Sequence, residues 1–387
     1  MTRRPRRGRL RVCVVTGTRA EYGILKTVLR AIDAHSRLDL QLLVTGTHLL
    51  RKFGHTVDGI RADGWRVDAQ VAMQRGNDDT DGEAEAVGRG IEGIARAIRR
   101  LRSDIVLVAG DRIEAFAGAA AAAVSRRFVA HIHGGDRALG DVDDSLRHAI
   151  TKLAHVHFAA TPEAAARLKR MGEEATRVFC VGAPGLDDIR AGPRPTQAWL
   201  RRTLGWDAVP PYALVAQHPC GRAAALERRD MIETLAAVAA AGLAGVVIYP
   251  NSDPGHSGIV EAIEQREHIP NRWFVARSLP REVFIRLLKG AQVLVGNSSS
   301  GIIESATAGV AAVNIGPRQK GRQKCGPGVV DSACDRAAVL RAIRRAMKRD
   351  ARTDNTPYGD GRSGQRIASV LARLPWDAGF RRKLIPY

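Results

Sequence analysis

Short apolar runs alternate along this chain with longer stretches in which apolar residues recur every three or four positions. The first pattern suits strands buried on both faces, and the second suits amphipathic helices. Strands are expected at Arg11–Thr16, Leu40–Val44, Ile105–Ala109, Phe128–Ile132, Val156–Ala159 and Val178–Val181. Helices are expected at Gly23–Ala34, Glu83–Leu101, Ile113–Val124, Asp144–Leu153 and Pro162–Met171. Such a strand–helix rhythm implies a parallel sheet with helices on both faces.

The rhythm breaks at Arg190–Thr196, a Pro/Gly-rich stretch suited to a linker, and then restarts. Strands are expected at Tyr212–Ala216, Gly245–Tyr249, Trp273–Val275, Ala291–Val295 and Val310–Ile315. Helices are expected at Ala223–Ala241, Ser257–Glu267, Arg281–Lys289 and Ser300–Ala308. The chain then offers a helix at Arg336–Lys348, a polar loop at Thr353–Gly364 and a last helix at Gln365–Leu374. The expected fold class is therefore α/β, with two Rossmann-like parallel-sheet domains facing across a cleft. Their expected extents are residues 1–190 and 191–364, with residues 365–387 a terminal helix and tail packing back on the first domain. No repeat of fixed period is present.

Composition narrows the class without changing this picture. At 387 residues and 45% hydrophobic, the chain can bury two cores, and it has no apolar run long enough for a membrane span. The start is basic and lacks a secretory apolar region, so cytoplasmic residence is expected. Five dispersed cysteines without a CxxC pair point to neither a disulfide frame nor a zinc site. Cys13 and Cys180 read as small core residues, and Cys220 stands out only for its place near His218. Six arginines in the first eleven residues supply about a third of the net charge of +20. No RNA-binding strand motif, zinc-finger spacing or heptad accompanies that charge, so no specific nucleic-acid partner is expected. A basic surface would also attract a diphosphate.

The densest chemistry lies between Phe128 and His155, where an apolar strand breaks at Gly134-Gly135 before a helix. His131, His133, Asp136, Asp141, Asp143, Asp144 and His148 fall at this junction. Strand carboxyl ends are where parallel α/β sheets bind ligands, so acid/base work on a small polar molecule is expected.

Other strand ends carry further candidates. Thr16-Gly17-Thr18-Arg19 enters a helix and could present N–H groups and a guanidinium to a phosphate, or be an ordinary turn. Asp111 and Arg112 follow the strand at Ile105–Ala109, where an acid is either a cap or a group aimed at a ligand. Asn297-Ser298-Ser299-Ser300-Gly301 suits a diphosphate, and Glu304 could accept from ribose hydroxyls. The same serines and Glu304 can also be read as a helix capping box. Gln217-His218-Pro219 and Pro250-Asn251-Ser252-Asp253-Pro254-Gly255 close the set.

Ten of these pieces, in order, resemble the hydrolysing UDP-N-acetylglucosamine 2-epimerases of sialic-acid and legionaminic-acid biosynthesis. They are VVTGTRAEYG, VTGTHL, GDR, HIHGG, VDDSLRHAITKLAH, VGAPGLD, QHP, PNSDPG, GNSSSGIIE and NIGPRQKGR, spanning residue 12 to about 322. The resemblance implies a GT-B-like fold, a homodimer or homotetramer, a UDP-sugar substrate, and neither organic cofactor nor essential metal. The implied reaction removes the C2 proton as UDP leaves C1, then adds water to the glycal to release the free 2-epimeric sugar. By motif position, Asp111 and Asp143 match acids of the family and His218 its histidine at the leaving group. Arg19 and Arg112 match substrate and phosphate contacts, and Ser298, Ser299, Gly301, Glu304 and Arg318 match nucleotide contacts. His133 and Asp136 stand where several relatives have glutamate, and they too are assigned to catalysis. Which of Asp111 and Asp143 is the base is left open, as is the choice between a monoacetamido and a diacetamido sugar, or between UDP and GDP. Rival readings are a non-hydrolysing 2-epimerase, a GT-B glycosyltransferase and a nucleic-acid-binding protein.

Overall fold

The computed structural model describes residues 8–75, 80–137, 142–269, 271–351 and 356–384. Asp141 and four arginines of the basic start (Arg3, Arg4, Arg6, Arg7) lie outside the described residues, as does part of the polar loop. The chain begins β1 (Leu10–Thr16), α1 (Arg19–Ala34), β2 (Leu38–Thr45), α2 (Val57–Ala62), β3 (Ala69–Val71) and α3 (Thr80–Leu101). It continues β4 (Ile105–Ala109), α4 (Ile113–Val124), β5 (Phe128–Ile132), α5 (Asp143–Leu153), β6 (Val156–Ala159), α6 (Pro162–Arg170) and β7 (Val178–Cys180). Then follow α7 (Gly185–Ala191), α8 (Gln197–Leu204), β8 (Tyr212–Ala216), α9 (Ala224–Ala240), β9 (Ala244–Ile248) and α10 (His256–Glu264). Next come β10 (Trp273–Ala276), α11 (Arg281–Gly290), β11 (Val293–Gly296), α12 (Ser299–Ile303), α13 (Ser305–Ala308), β12 (Ala311–Ile315) and β13 (Val329–Ser332). The last elements are α14 (Arg336–Ala346), α15 (Ser363–Arg373) and α16 (Ala378–Arg381).

Two compact units result. Among the described residues, the first takes in those up to 136, 142–187 and 359 onward; the second holds 137 and 188–358. Among the described residues, the parallel strands of the first run β3-β2-β1-β4-β5-β6-β7, and those of the second run β10-β9-β8-β11-β12-β13. Both sheets are the doubly wound α/β arrangement that the alternation implies. The short strands β3 and β13 lie outside the expected set, because three or four residues bounded by polar ones give no periodic signal. The proposed linker lies between α7 and α8 and inside the second unit, and its first two residues are helical.

Each sheet is coated on both faces. In the first unit, Leu25, Leu29 and Ile32 of α1 recur at helical spacing, are buried, and pack with Ile367 and Leu371 of α15 on one face. Ala115, Ala119 and Ala122 of α4 pack on the other face with Ile94 and Ile98 of α3. Burying one such leucine or isoleucine stabilises by about 1.5–3 kcal/mol. In the second unit Met231, Leu235 and Val238 of α9 cover β8 and β11 with Ile343 of α14. Cys13 is buried as expected, but Cys180 is exposed: it ends the edge strand β7, where one flank has no neighbouring strand among the described residues.

Candidate functional site

In the first unit β1, β4 and β5 are adjacent, and the strand order reverses between β1 and β4. Loops at the carboxyl ends on either side of such a reversal splay apart and leave a crevice. Thr18 caps α1 by accepting the Glu21 N–H, and Glu21 Oε2 accepts the Gly17 N–H at 2.8 Å. These two N–H groups, expected to face an anion, are thus satisfied within the loop. Arg19 is different. Its side chain makes no hydrogen bond or ion pair among the described residues, and burial lowers its pKa to about 10, so it stays cationic at neutral pH. Burial, reinforced by the nearby Glu114 charge, lifts Glu21 to about 8. Glu114 on α4 is itself buried and accepts from Arg112 Nε at 3.2 Å.

Asp111 is no helix cap: the cap position of α4 is Arg112, without a side-chain bond. Asp111 instead pairs with Arg147 of α5, the largest fully buried side chain. Arg147 Nη1 also donates to the His133 carbonyl at 3.0 Å, so one guanidinium ties the loop after β4 to the loop after β5. Asp143 opens α5 four residues before Arg147, which places the two on one helix face.

His133 sits at a φ of +64°, a left-handed conformation uncommon for a side-chain-bearing residue. Its Nδ1 lies 3.0 Å from Asp136 Oδ2, and both residues are buried. In the neutral tautomer that donates from Nδ1 to this carboxylate, Nε2 is the lone-pair nitrogen. That Nε2 makes no hydrogen bond to any described residue, so the ring is oriented as a proton acceptor, in the manner of an aspartate-supported histidine. Gly135 allows the turn: its φ is +77°, and a Cβ there would lie 2.4 Å from the Ala164 carbonyl oxygen. His131, by contrast, points Nε2 to the Gly110 carbonyl oxygen at 2.7 Å, and burial drops its pKa to about 3. It is neutral and structural. His148 stays near Asp144, at 3.7 Å along α5.

In the second unit the order reverses between β8 and β11. Asn297 clasps the His218 backbone from both sides: Oδ1 accepts its N–H at 2.7 Å and Nδ2 donates to its carbonyl at 2.8 Å. Gly296 makes this approach possible, with φ +136° and only 2.1 Å between a hypothetical Cβ and the Ala216 carbonyl oxygen. The serine turn is a true cap, since Ser298 Oγ accepts the Ser300 N–H. The expected single helix is broken in two at Glu304, six residues past that cap and out of reach of a capping box. Glu304 is buried and gripped by Arg281 of α11, at 2.8 and 3.2 Å. Ser299 begins α12 and Gly301 is buried within it. Arg318 Nη1 donates to the Asn297 carbonyl at 3.4 Å, and Gln319 donates to the same oxygen at 2.9 Å.

Within each unit the candidates therefore converge on neighbouring strand ends. Arg147 and Arg281 were not singled out from the sequence, and Asn297 and Asn251 stood there only as members of their loops. Arg147 had a readable signal, the four-residue spacing from Asp143; Arg281 had none, because it meets Glu304 only through folding. Cys220 is a protonated thiol, pushed up by burial, that accepts from Asn297 Nδ2 at 3.6 Å. Among the described residues no group of three or more His, Cys, Asp or Glu is arranged to hold a metal ion. Nor is any described helix long and apolar enough to cross a membrane.

Residues 30–372 match the family model described as UDP-N-acetylglucosamine 2-epimerase. A Legionella pneumophila protein named UDP-N,N'-diacetylbacillosamine 2-epimerase (hydrolyzing) is 34% identical, across 97% of this chain and 99% of its own. A Neisseria meningitidis UDP-N-acetylglucosamine 2-epimerase is 32% identical, across 97% of this chain and 98% of its own. The solved Methanocaldococcus jannaschii UDP-GlcNAc 2-epimerase, in complex with UDP-GlcNAc and UDP, superposes with a TM-score of 0.78. It is 18% identical, over 94% of this chain and 99% of that one.

Proposed function

The chain belongs to the UDP-N-acetylglucosamine 2-epimerase family, and from that premise we propose that it is a hydrolysing 2-epimerase acting on a UDP-N-acetylated hexosamine, of the monoacetamido or the 2,4-diacetamido class. The observation that carries the reading is the Arg147 bridge, which gathers Asp111 and the His133–Asp136 pair at adjacent strand ends. A site with several proton-transfer groups suits removal and return of a carbon-bound proton. The full-length likeness to the Legionella enzyme named as hydrolysing supports the release of free sugar.

In the reaction a base takes the C2 hydrogen while the C1–O bond breaks and its electrons leave with UDP. The product is a glycal. Water then adds across C1=C2, hydroxyl to C1 and proton to C2 from the opposite face, which yields UDP and the free 2-epimer. We assign the proton transfers to Asp111, Asp143 and His133, with Asp136 holding the His133 tautomer. His218 presents Nε2–H to the departing diphosphate, where a donor stabilises growing negative charge. Arg19 and Arg112 contact substrate phosphate or sugar; Ser298, Ser299, Gly301, Glu304 and Arg318 hold the nucleotide. The enzyme works in the cytoplasm as a homodimer or homotetramer, in the supply of sialic-acid-like sugars, without an organic cofactor.

Incubation with UDP-N-acetylglucosamine, and separately with the UDP-2,4-diacetamido sugar, in D₂O tests this. Free UDP with a 2-epimeric sugar deuterated at C2 is expected. Accumulation of an intact UDP-2-epimer would favour the non-hydrolysing reading. Transfer to an acceptor with C2 hydrogen retained would favour a glycosyltransferase.

A further inference from the structure

Helix α5 carries the proton-transfer apparatus at its front, with Asp143 in the first turn and Arg147 one turn later. The last carbonyls of a helix have no partners within it. At this helix end the Ala154 N–H reaches the Ile150 and Thr151 carbonyls, and further bonds come from far along the chain. Lys383, just beyond α16, donates from Nζ to the carbonyls of Thr151 at 2.8 Å, Lys152 at 3.1 Å and Ala154 at 2.9 Å. The same ammonium pairs with Glu173 at 2.6 Å, and its side chain is only 11% exposed.

Three N–H bonds shared among four acceptors saturate the ammonium, and a cation at a helix carboxyl end also complements the helix dipole. Glu173 is buried and bonded to His157 Nε2 at 2.8 Å. His157 lies on β6, where it pairs in register with His131 of β5. Lys383 thus fastens the end of α5 to a carboxylate that is itself fastened to the sheet. The tail is held close by: Arg177 donates to the carbonyls of Phe380 at 2.6 Å and Arg382 at 3.0 Å, and stacks on the Phe380 ring at 4.2 Å.

We infer that Lys383 is a positioning residue for the reaction: by closing the end of α5 it sets where Arg147 stands, and through Arg147 the placement of Asp111 and the His133 loop. It touches no reacting atom. Thr151, whose carbonyl it holds, lies one turn beyond Arg147, so a slide of α5 along its axis carries Arg147 with it. The inference rests on the hydrolysing 2-epimerase reading of the same site.

The test compares Lys383→Met, Lys383→Arg and wild type for UDP release from the mono- and diacetamido UDP-sugars, with amide hydrogen exchange along α5. Lys383→Met should lower kcat about 10- to 100-fold, the cost of a displacement on the order of 1 Å, with KM changed less than about twofold. Exchange in the last turn of α5 should quicken, and Lys383→Arg, which keeps a cationic donor, should restore most of kcat. Two outcomes overturn the inference. One is a Met variant with faster α5 exchange but unchanged kcat. The other is a loss of activity that merely tracks the unfolded fraction and is not rescued by arginine. A wild type that turns over neither sugar would sink the functional reading and this inference with it, and is told apart because the wild type itself is then silent.

Discussion

The backbone N–H of Asn251 donates to Nδ1 of His218 at 3.1 Å, which leaves the ring proton on Nε2. A ring protonated on both nitrogens would lose that bond, since Nδ1 could no longer accept. His218 is thereby held as a neutral donor. His218→Ala should slow UDP release about 10²- to 10³-fold, as loss of one donor to a developing charge does. Asn297→Ala, which leaves the ring but frees its backbone, should give a smaller loss. Initial rates from a coupled UDP assay decide; equal rates for His218→Ala and wild type would remove His218 from the mechanism.

Asp111 and Arg147 make a second measurable pair. Arg147 is fully buried, so Asp111→Asn takes one carboxylate from its guanidinium, and Arg147→Met takes that cation from Asp111. Removing one member of a buried pair typically costs about 3–5 kcal/mol. The double variant Asp111→Asn/Arg147→Met should recover part of that stability in urea unfolding while remaining inactive. Additive destabilisation would mean the two side chains are not coupled.

Stability should fall on the alkaline side because of Glu21. Its carboxyl turns inward onto the Gly17 N–H, and its pKa of about 8 lies above an unfolded value of about 4.3. The folded state therefore holds the extra proton. This contribution is complete below the unfolded pKa and is lost as pH rises through about 8. Thermal unfolding between pH 5 and pH 9 should show a declining Tm that is flatter in Glu21→Gln. Parallel slopes for both proteins would exclude Glu21 as the cause.

Arg281 should matter for nucleotide binding although no motif contains it. It neutralises Glu304, which is buried beside the serine turn. Arg281→Ala should weaken UDP binding about 10-fold or more by calorimetry, because an unpaired buried carboxylate beside a diphosphate is repulsive. Arg281→Lys, with one point charge in place of a fork, should fall between. Unaltered affinity in Arg281→Ala would place UDP elsewhere.

Much of this molecule was legible in its residues. The alternation of apolar runs with helical periodicity marks both parallel sheets, and glycine or proline at strand ends marks the loops now seen at β1, β4, β5, β8 and β11. Boundaries were less legible. Helix α1 starts at Arg19, because the Thr18 cap and Glu21 stabilise its first turn, whereas the apolar pattern begins only at Gly23. The helix expected at Ser300–Ala308 breaks at Glu304, because Arg281 holds that side chain from another element.

The linear order of residues by itself settles which groups stand at strand ends, since periodicity and turn residues are local properties of the chain. Only tertiary structure decides what those groups can do. His131 and His133 are two positions apart, yet one is locked on the Gly110 carbonyl and the other is paired with Asp136. The partners that make the difference, Arg147, Asn297, Arg281 and Lys383, come from distant positions, and no local pattern encodes a contact that exists only once sheet and helices have packed.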